Sequence, residues 1–157
     1  FRIARSDFCP VAGLLDRAGV PRHRLTIEVP ESTVMRDPER CIRVLEGLAT
    51  IGVRLSVDDF GTGYSSLAYL ERLPLHEVKI DRSFVTRLAG DLSQDTVVRA
   101  TVDLAHALGL VVVAEGVEDG EVSEVLCGLS VDVLQGQAGL GEHRRLAIED
   151  AQVEPEA

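Results

Sequence analysis

Acidic and polar side chains recur where apolar runs stop. Glu28 stands near the end of Leu25–Val29, and Asp58 with Asp59 close the run Val53–Asp58. Lys79 and Asp81 lie at the end of Glu77–Asp81, Glu115 ends Val111–Glu115, and Gln135 follows Val131–Leu134. Gathered in one place, these carboxylates repel each other unless a cation sits among them. Oxygen-only donors suit hard divalent ions, so Mg²⁺ or Mn²⁺ is the expected partner. Two adjacent aspartates can serve two ions with one carboxylate bridging, which suits in-line displacement at phosphorus. Consecutive residues on a strand point to opposite faces, so at least one of Asp58 and Asp59 is expected to turn inward. Gly61-Thr62-Gly63 follows directly, and reads either as a loop that moves with metal or substrate or as a tight turn.

Strands that end together need a scaffold that brings them together. Short apolar runs alternate with helical stretches along the chain, the pattern of parallel strands joined by crossovers. Asp37-Pro38 opens a helix as N-cap and first helical residue, and Gly52 closes it. Further helices are expected over Asp7–Ala18, Ser66–Arg72, Gln94–Leu108 and Glu121–Leu129. Val111–Glu115 is almost continuously apolar, as parallel strands covered on both faces are. Open doubly wound sheets and closed barrels both fit this pattern. No G-x-G-x-x-G follows a strand, so the dinucleotide-binding fingerprint is missing. In a parallel barrel the C-terminal strand ends converge on one site.

Composition narrows the function classes. The chain has 157 residues, 45% of them hydrophobic, and a net charge of −10. Such a surface repels nucleic-acid polymers and anionic membranes, and a phosphate ester would need a cation as mediator. No apolar run is long enough to span a bilayer and no secretion leader is visible, which points to the cytoplasm. Cys9, Cys41 and Cys127 form no C-x-x-C pair, and are expected to be buried reduced thiols. His23, His76, His106 and His143 lack ligand spacing and are expected in surface or helix-packing roles. Tyr64 and Tyr69 either touch a substrate base or pack in the core.

Several strings together resemble a known family. Ile27–Ser32 reads IEVPES, Asp58–Leu67 reads DDFGTGYSSL, Val78–Phe84 reads VKIDRSF, Ala114–Glu118 reads AEGVE, and Gln135-Gly136 follows a short strand. In this order the motifs resemble the EAL family of cyclic di-GMP phosphodiesterases. The resemblance implies a modified TIM barrel that hydrolyses cyclic di-GMP to pGpG with Mg²⁺ or Mn²⁺ in bacterial signalling. It implies metal binding by Glu28, Asp58 and Asp59, and catalytic roles for Lys79, Glu115 and Gln135. Glu31 would anchor the loop carrying Gly61, Thr62 and Gly63, while Asp81 and Glu118 would lie beside the substrate or order the site. A homodimer, or an upstream sensory or GGDEF domain in a longer parent, is a further implication.

The departures from the family are equally specific. Its name-giving Glu-Ala-Leu and a metal-ligand asparagine lie on early strands, and the sequence contains no Glu-Ala-Leu and no asparagine. Pro30 replaces a usual threonine, Gln137 replaces a usual tyrosine, and the following Arg-Pro segment is missing. The expectation is an incomplete TIM-like (β/α) barrel, an α/β unit of about five parallel strands with flanking helices over residues 1–138. A full barrel needs about 250 residues. Residues 139–157 are expected to form a divergent, partly disordered tail with a short helix over Glu142–Asp150. The isolated chain is then expected to leave strand edges unpaired and to be inactive alone. The alternative is a degenerate, non-catalytic module that binds cyclic di-GMP or a protein partner.

Overall fold

A computed structural model of the chain describes residues 9–61, 67–88 and 95–137. Five strands form one sheet: β1 (Thr26–Pro30), β2 (Arg54–Phe60), β3 (Glu77–Ile80), β4 (Val111–Glu115) and β5 (Val133–Gln135). Every neighbouring pair is parallel and the spatial order is β1-β2-β3-β4-β5. That order separates the two architectures left open above. A doubly wound sheet reverses direction at a switch point, whereas a barrel adds each strand beside the last. The sheet is therefore a run of successive barrel staves, with β1 and β5 as its edges among the described residues.

Helices fill the crossovers. They are α1 (Cys9–Ala18), α2 (Glu31–Arg36), α3 (Pro38–Ala49), α4 (Leu67–Leu70), α5 (Arg82–Leu88), α6 (Asp95–Ala107) and α7 (Gly120–Gly128). Local chemistry sets several of their ends. Asp37 caps α3 by accepting from the Arg40 N–H at 3.2 Å, and Asp119 caps α7 by accepting from the Glu121 N–H at 2.8 Å. Gly52 and Gly109 follow α3 and α6 with φ of +85° and +72°, the left-handed turn that glycine adopts without a Cβ clash. No described helix is long and apolar enough to cross a membrane.

The two faces of the sheet differ sharply. Leu55, Val57, Val78, Ile80, Val112 and Ala114 point to the helical layer and are essentially inaccessible. They pack with Ile42 and Leu45 of α3, Val85 and Leu88 of α5, Val98 and Val102 of α6, and Leu126 of α7. Full burial of each such side chain contributes about 1.5–3 kcal/mol, so this layer carries most of the fold. The alternate residues on the concave face are largely polar: Glu28, Arg54, Ser56, Asp58, Glu77, Lys79 and Glu115.

Several boundaries depart from the expectations. Helices α2 and α5 had no counterpart in the reading of the sequence. Each is a single short apolar-and-charged stretch pressed against a strand, and so too short to show a helical period. Strand β2 runs past Asp58 to Phe60. Strand β5 starts at Val133 rather than Val131, because the Asp132 side chain takes over the pairing. Its Oδ2 accepts from the Val112 N–H at 2.6 Å and lies 2.9 Å from His106 Nε2. Cys127 is exposed and Cys41 only half-buried, against the expectation of buried thiols. Tyr69 packs against the core, with the Arg72 guanidinium 5.9 Å from its ring centre. Thr62, Gly63, Tyr64, His143 and the tail lie outside the described residues.

His76 works as a piece of backbone at the lower edge of the sheet. Its Nδ1 accepts from the Leu55 N–H at 3.2 Å, its N–H donates to Leu55 O, and its carbonyl accepts from Val111. Burial, and then the Arg54 charge, lower its pKa below the usual 6.5, with Glu77 opposing. A histidine whose folded pKa is depressed contributes stability that is complete above about pH 6.5 and is lost as pH falls below it. Protonation also removes the acceptor from Leu55. Thermal midpoints measured from pH 8 to pH 5 should therefore fall more steeply for the wild type than for His76→Asn, which keeps a neutral acceptor. Parallel curves for the two chains would contradict this account.

Candidate active site

Three of the polar residues expected at the strand ends converge on a fourth. Lys79, on β3, is 5% exposed. Its Nζ lies 3.0 Å from Glu28 Oε1 on β1 and 3.9 Å from Asp58 Oδ1 on β2, and it pairs with Glu115 on β4. Four adjacent strands thus send one ionic group each to a common point. Burial pulls the Lys79 pKa down, but Glu115 and Glu28, with help from Asp58, outweigh it and hold the ammonium above the usual lysine value. Beneath this layer Arg54 lies 3.6 Å from Glu77.

Asp58 and Asp59 reach the cluster by an irregularity in β2. From Val57 to Phe60 the strand spends three steps while β3 spends two, from Val78 to Ile80. The extra residue makes a β-bulge, and Asp59 takes a left-handed backbone with φ of +57°. That conformation is uncommon outside glycine, though aspartate is among the residues that tolerate it. The Asp59 N–H donates to Asp58 Oδ1 at 2.9 Å. The strict alternation expected of the pair is replaced by two acids at one strand end. The pKa of Asp59 is raised by its loss of solvent and by Asp58 and Asp81, while Lys79 offsets this in part.

The supporting residues take separate positions. Glu31, only 2% exposed, accepts from the Gly61 N–H at 2.9 Å and ties the start of α2 to the end of β2. Asp81 interacts with Asp59 and accepts from the Ser83 N–H at 3.0 Å at the start of α5. Gln135 stands in register beside Glu115. Glu118 is drawn to Arg82 at 2.6 Å, so it lies with α5 rather than on Lys79.

Three positions carry this arrangement that the sequence offered only inside longer motifs and with no role of their own. Arg82 runs across Gly116, where a Cβ would meet its side chain at 2.4 Å. Gly116 itself has φ of +70°. At Gly136 a Cβ would lie 2.1 Å from the Val117 carbonyl oxygen, and the Val117 N–H donates to Gln135 O at 3.1 Å. The available signal was a glycine directly after each strand-end polar residue, at Glu115-Gly116 and Gln135-Gly136.

A hard divalent ion fits this donor set in kind but not in number. Glu28, Asp58 and Asp59 offer oxygen ligands beside a buried ammonium. Yet among the described residues no three acidic or other ligating side chains surround a single point with metal spacing. The carboxylates are arranged around Lys79 instead.

Comparison with known proteins places this geometry. A family model described as EAL domain matches residues 3–138. The bifunctional diguanylate cyclase/cyclic di-GMP phosphodiesterase MucR of Pseudomonas aeruginosa is 48% identical over 132 residues, 80% of this chain and 19% of that protein. Cyclic di-GMP phosphodiesterase NbdA of the same organism is 43% identical over 122 residues, covering 78% of this chain and 16% of that protein. The chain thus spans under a fifth of the length of these relatives. Among solved structures, the PaMucR phosphodiesterase in its c-di-GMP complex superposes with a TM-score of 0.80 at 42% identity, over 92% of this chain and 60% of that one. The Klebsiella pneumoniae BlrP1 manganese/cyclic di-GMP complex at pH 6 gives 0.75 at 32% identity, over 82% and 33%.

The close approach at Gly136 yields a direct test. Gly136→Ala forces the β5 end away from the Val117 backbone and should destabilise the fold by about 1–3 kcal/mol. Urea unfolding measures it, and an unchanged midpoint would show that the two segments are not in contact.

Proposed function

Since the chain belongs to the EAL-domain family, we propose that it forms part of a metal-dependent phosphodiesterase that hydrolyses cyclic di-GMP to pGpG in bacterial signalling. The observation that carries this reading is the convergence of Glu28, Asp58 and Glu115 on Lys79 at the ends of four parallel strands. Relatives named as cyclic di-GMP phosphodiesterases support the substrate, and a manganese complex among the structural neighbours supports a divalent ion. Mg²⁺ or Mn²⁺ is the proposed cofactor.

Roles follow from position. Hydrolysis of a phosphodiester needs water delivered to phosphorus, a counter-charge for the phosphate oxygens, and a proton for the departing oxygen. Glu28, Asp58 and Asp59 would hold the divalent ion, which when bound supplies Lewis-acid polarisation and an activated water. Lys79 would donate from its ammonium to the attacking water or to a phosphate oxygen. Glu115, already paired with Lys79, would position that water and accept its proton, and solvent water would protonate the departing oxygen. Gln135 would steady Glu115 from the next strand. Glu31 would hold the backbone at Gly61, and with it the segment after the two aspartates. Asp81 and Glu118 would order the rim through the start of α5 and through Arg82.

A chain of this charge needs the cation for a second reason. A net charge of −10 opposes the approach of a dianionic dinucleotide.

Two ligand types that the family uses, the Glu-Ala-Leu glutamate and an asparagine, do not occur in this sequence. The isolated chain should therefore turn over cyclic di-GMP with Mn²⁺ at least about a thousandfold more slowly than an intact family member, a loss of about 4 kcal/mol of transition-state stabilisation. Chromatographic assay of pGpG release decides this, and a comparable rate would refute it. The same missing ligands favour a second reading, a module that binds cyclic di-GMP without hydrolysing it. Calorimetric binding with no turnover would select that reading.

A further inference from the structure

A cavity of about 250 Å³ lies between α5 and the start of α7. It is lined by Val85 and Thr86 of α5, by Gly116, Glu118 and Asp119 of the β4–α7 connection, and by Val122 of α7. Val85 and Val122 are buried members of the helical layer, so the cavity has an apolar floor on the side of the sheet away from Lys79. Its rim carries the carboxylates of Glu118 and Asp119 and the exposed side chain of Thr86. The volume exceeds the ~150 Å³ that takes a benzene-sized molecule and falls below the ~300–1,000 Å³ of pockets for drug-sized ligands. A dinucleotide is too large for it, whereas one apolar side chain with a cation at the rim matches it.

The rim acids can take a further cation. Glu118 pairs with Arg82 at 2.6 Å, but the two side chains are 60% and 61% exposed, so the pair is weak and open to exchange. Asp119 caps α7 through Oδ1, which leaves Oδ2 for another donor. Guanidinium groups suit such carboxylates because they offer paired N–H donors. The chain itself passes this rim as it leaves the sheet. Val117, set between two lining residues, donates its N–H to Gln135 O at 3.1 Å, and a Cβ on Gly136 would lie 2.1 Å from Val117 O. Residues 138–157 hold five acids and two bases, the adjacent Arg144 and Arg145, which Leu146 and Ile148 follow. Arg144 comes seven positions after Gln137, a reach of up to about 24 Å. In a chain with a net charge of −10, this basic pair is the piece of the tail that an acidic rim attracts.

We propose that the cavity between α5 and α7 seats the chain's own residues 143–148, with Arg144 and Arg145 on Glu118 and Asp119 and Leu146 over Val85 and Val122. The segment then straps the end of β5 to α5 across the β4–α7 connection. It covers the apolar floor and neutralises the rim in one contact. This seat is independent of the phosphodiesterase reading, since none of its groups touches Lys79 or the carboxylates around it.

Trypsin cuts after arginine, so mass spectrometry of cleavage after Arg144 and Arg145 reads the contact. In the full chain this cleavage should run about tenfold more slowly than in a synthetic peptide of residues 138–157, because proteolysis follows the population of the open form. Equal rates overturn the proposal. Thr86→Trp, at an exposed position, fills the cavity and should return the rate to that of the peptide. Protection that survives this substitution seats the segment elsewhere and overturns the proposal. Cleavage after Arg72 reports the integrity of the fold in each chain. Should it rise in Thr86→Trp, Glu118→Lys is read in the same way, with the same expected loss of protection and the same contrary result. If neither variant folds, the comparison of the wild type with the peptide decides. Protection should also be independent of protein concentration; a rise with concentration assigns the cavity to the tail of a second copy and overturns the proposal.

Discussion

The concave face of this sheet depends on one buried ammonium. Without Lys79, three strands of the sheet would bring carboxylates together in a region of reduced solvation, where like charges interact strongly. With it, the strand ends become a single ionic cluster. The apolar face of the same sheet needs no such device, because Leu55, Val57, Val78, Ile80 and Val112 simply bury against helices. Stability and chemistry are thus divided between the two faces of the same strands. The helical layer holds the staves in order, and the concave layer is left to hold charge.

The connections after the strands serve that charge cluster as much as they serve the fold. Helix α2 starts at Glu31, whose buried carboxylate ties back to Gly61. Arg82, on α5, crosses Gly116 and pairs with Glu118. Gly136 lets β5 lie against Val117. Each link joins the C-terminal end of one strand to that of another, so displacement of one strand end is felt by its neighbours. Interactions that leave a barrel through its loops usually fix local geometry, and here they do so on the face where function resides in such folds.

Much of this was legible as sequence for simple reasons. Strands buried on one face and polar at their tips show up as apolar runs with a terminal acid, which is how Glu28, Asp58, Lys79 and Glu115 stood out. Asp37-Pro38 and Gly52 mark the ends of α3 by local chemistry alone. Helices α2 and α5 were not legible, because six or seven residues show less than two helical turns and so no clear period. The bulge at Asp58-Asp59 was not legible either. Alternation is a rule about regular pairing, and nothing within β2 announces that β3 is one residue shorter over the same span. The displacement of Glu118 toward Arg82 depends on a residue 36 positions away, a distance that no local pattern reports.

The bulge also makes β2 a length device as well as a source of carboxylates. Substituting either aspartate removes a carboxylate but leaves the count of residues between Val57 and Phe60 intact. Deleting one of them would do something different in kind. The strand could then pair with β3 without interruption, and the left-handed turn at Asp59 would have no reason to form. The remaining aspartate would keep its chemistry while the segment from Phe60 onward shifted in phase relative to Glu31. In this stretch the number of residues is itself a structural quantity, so insertions and deletions here act on the acidic cluster through register, and substitutions act on it through charge.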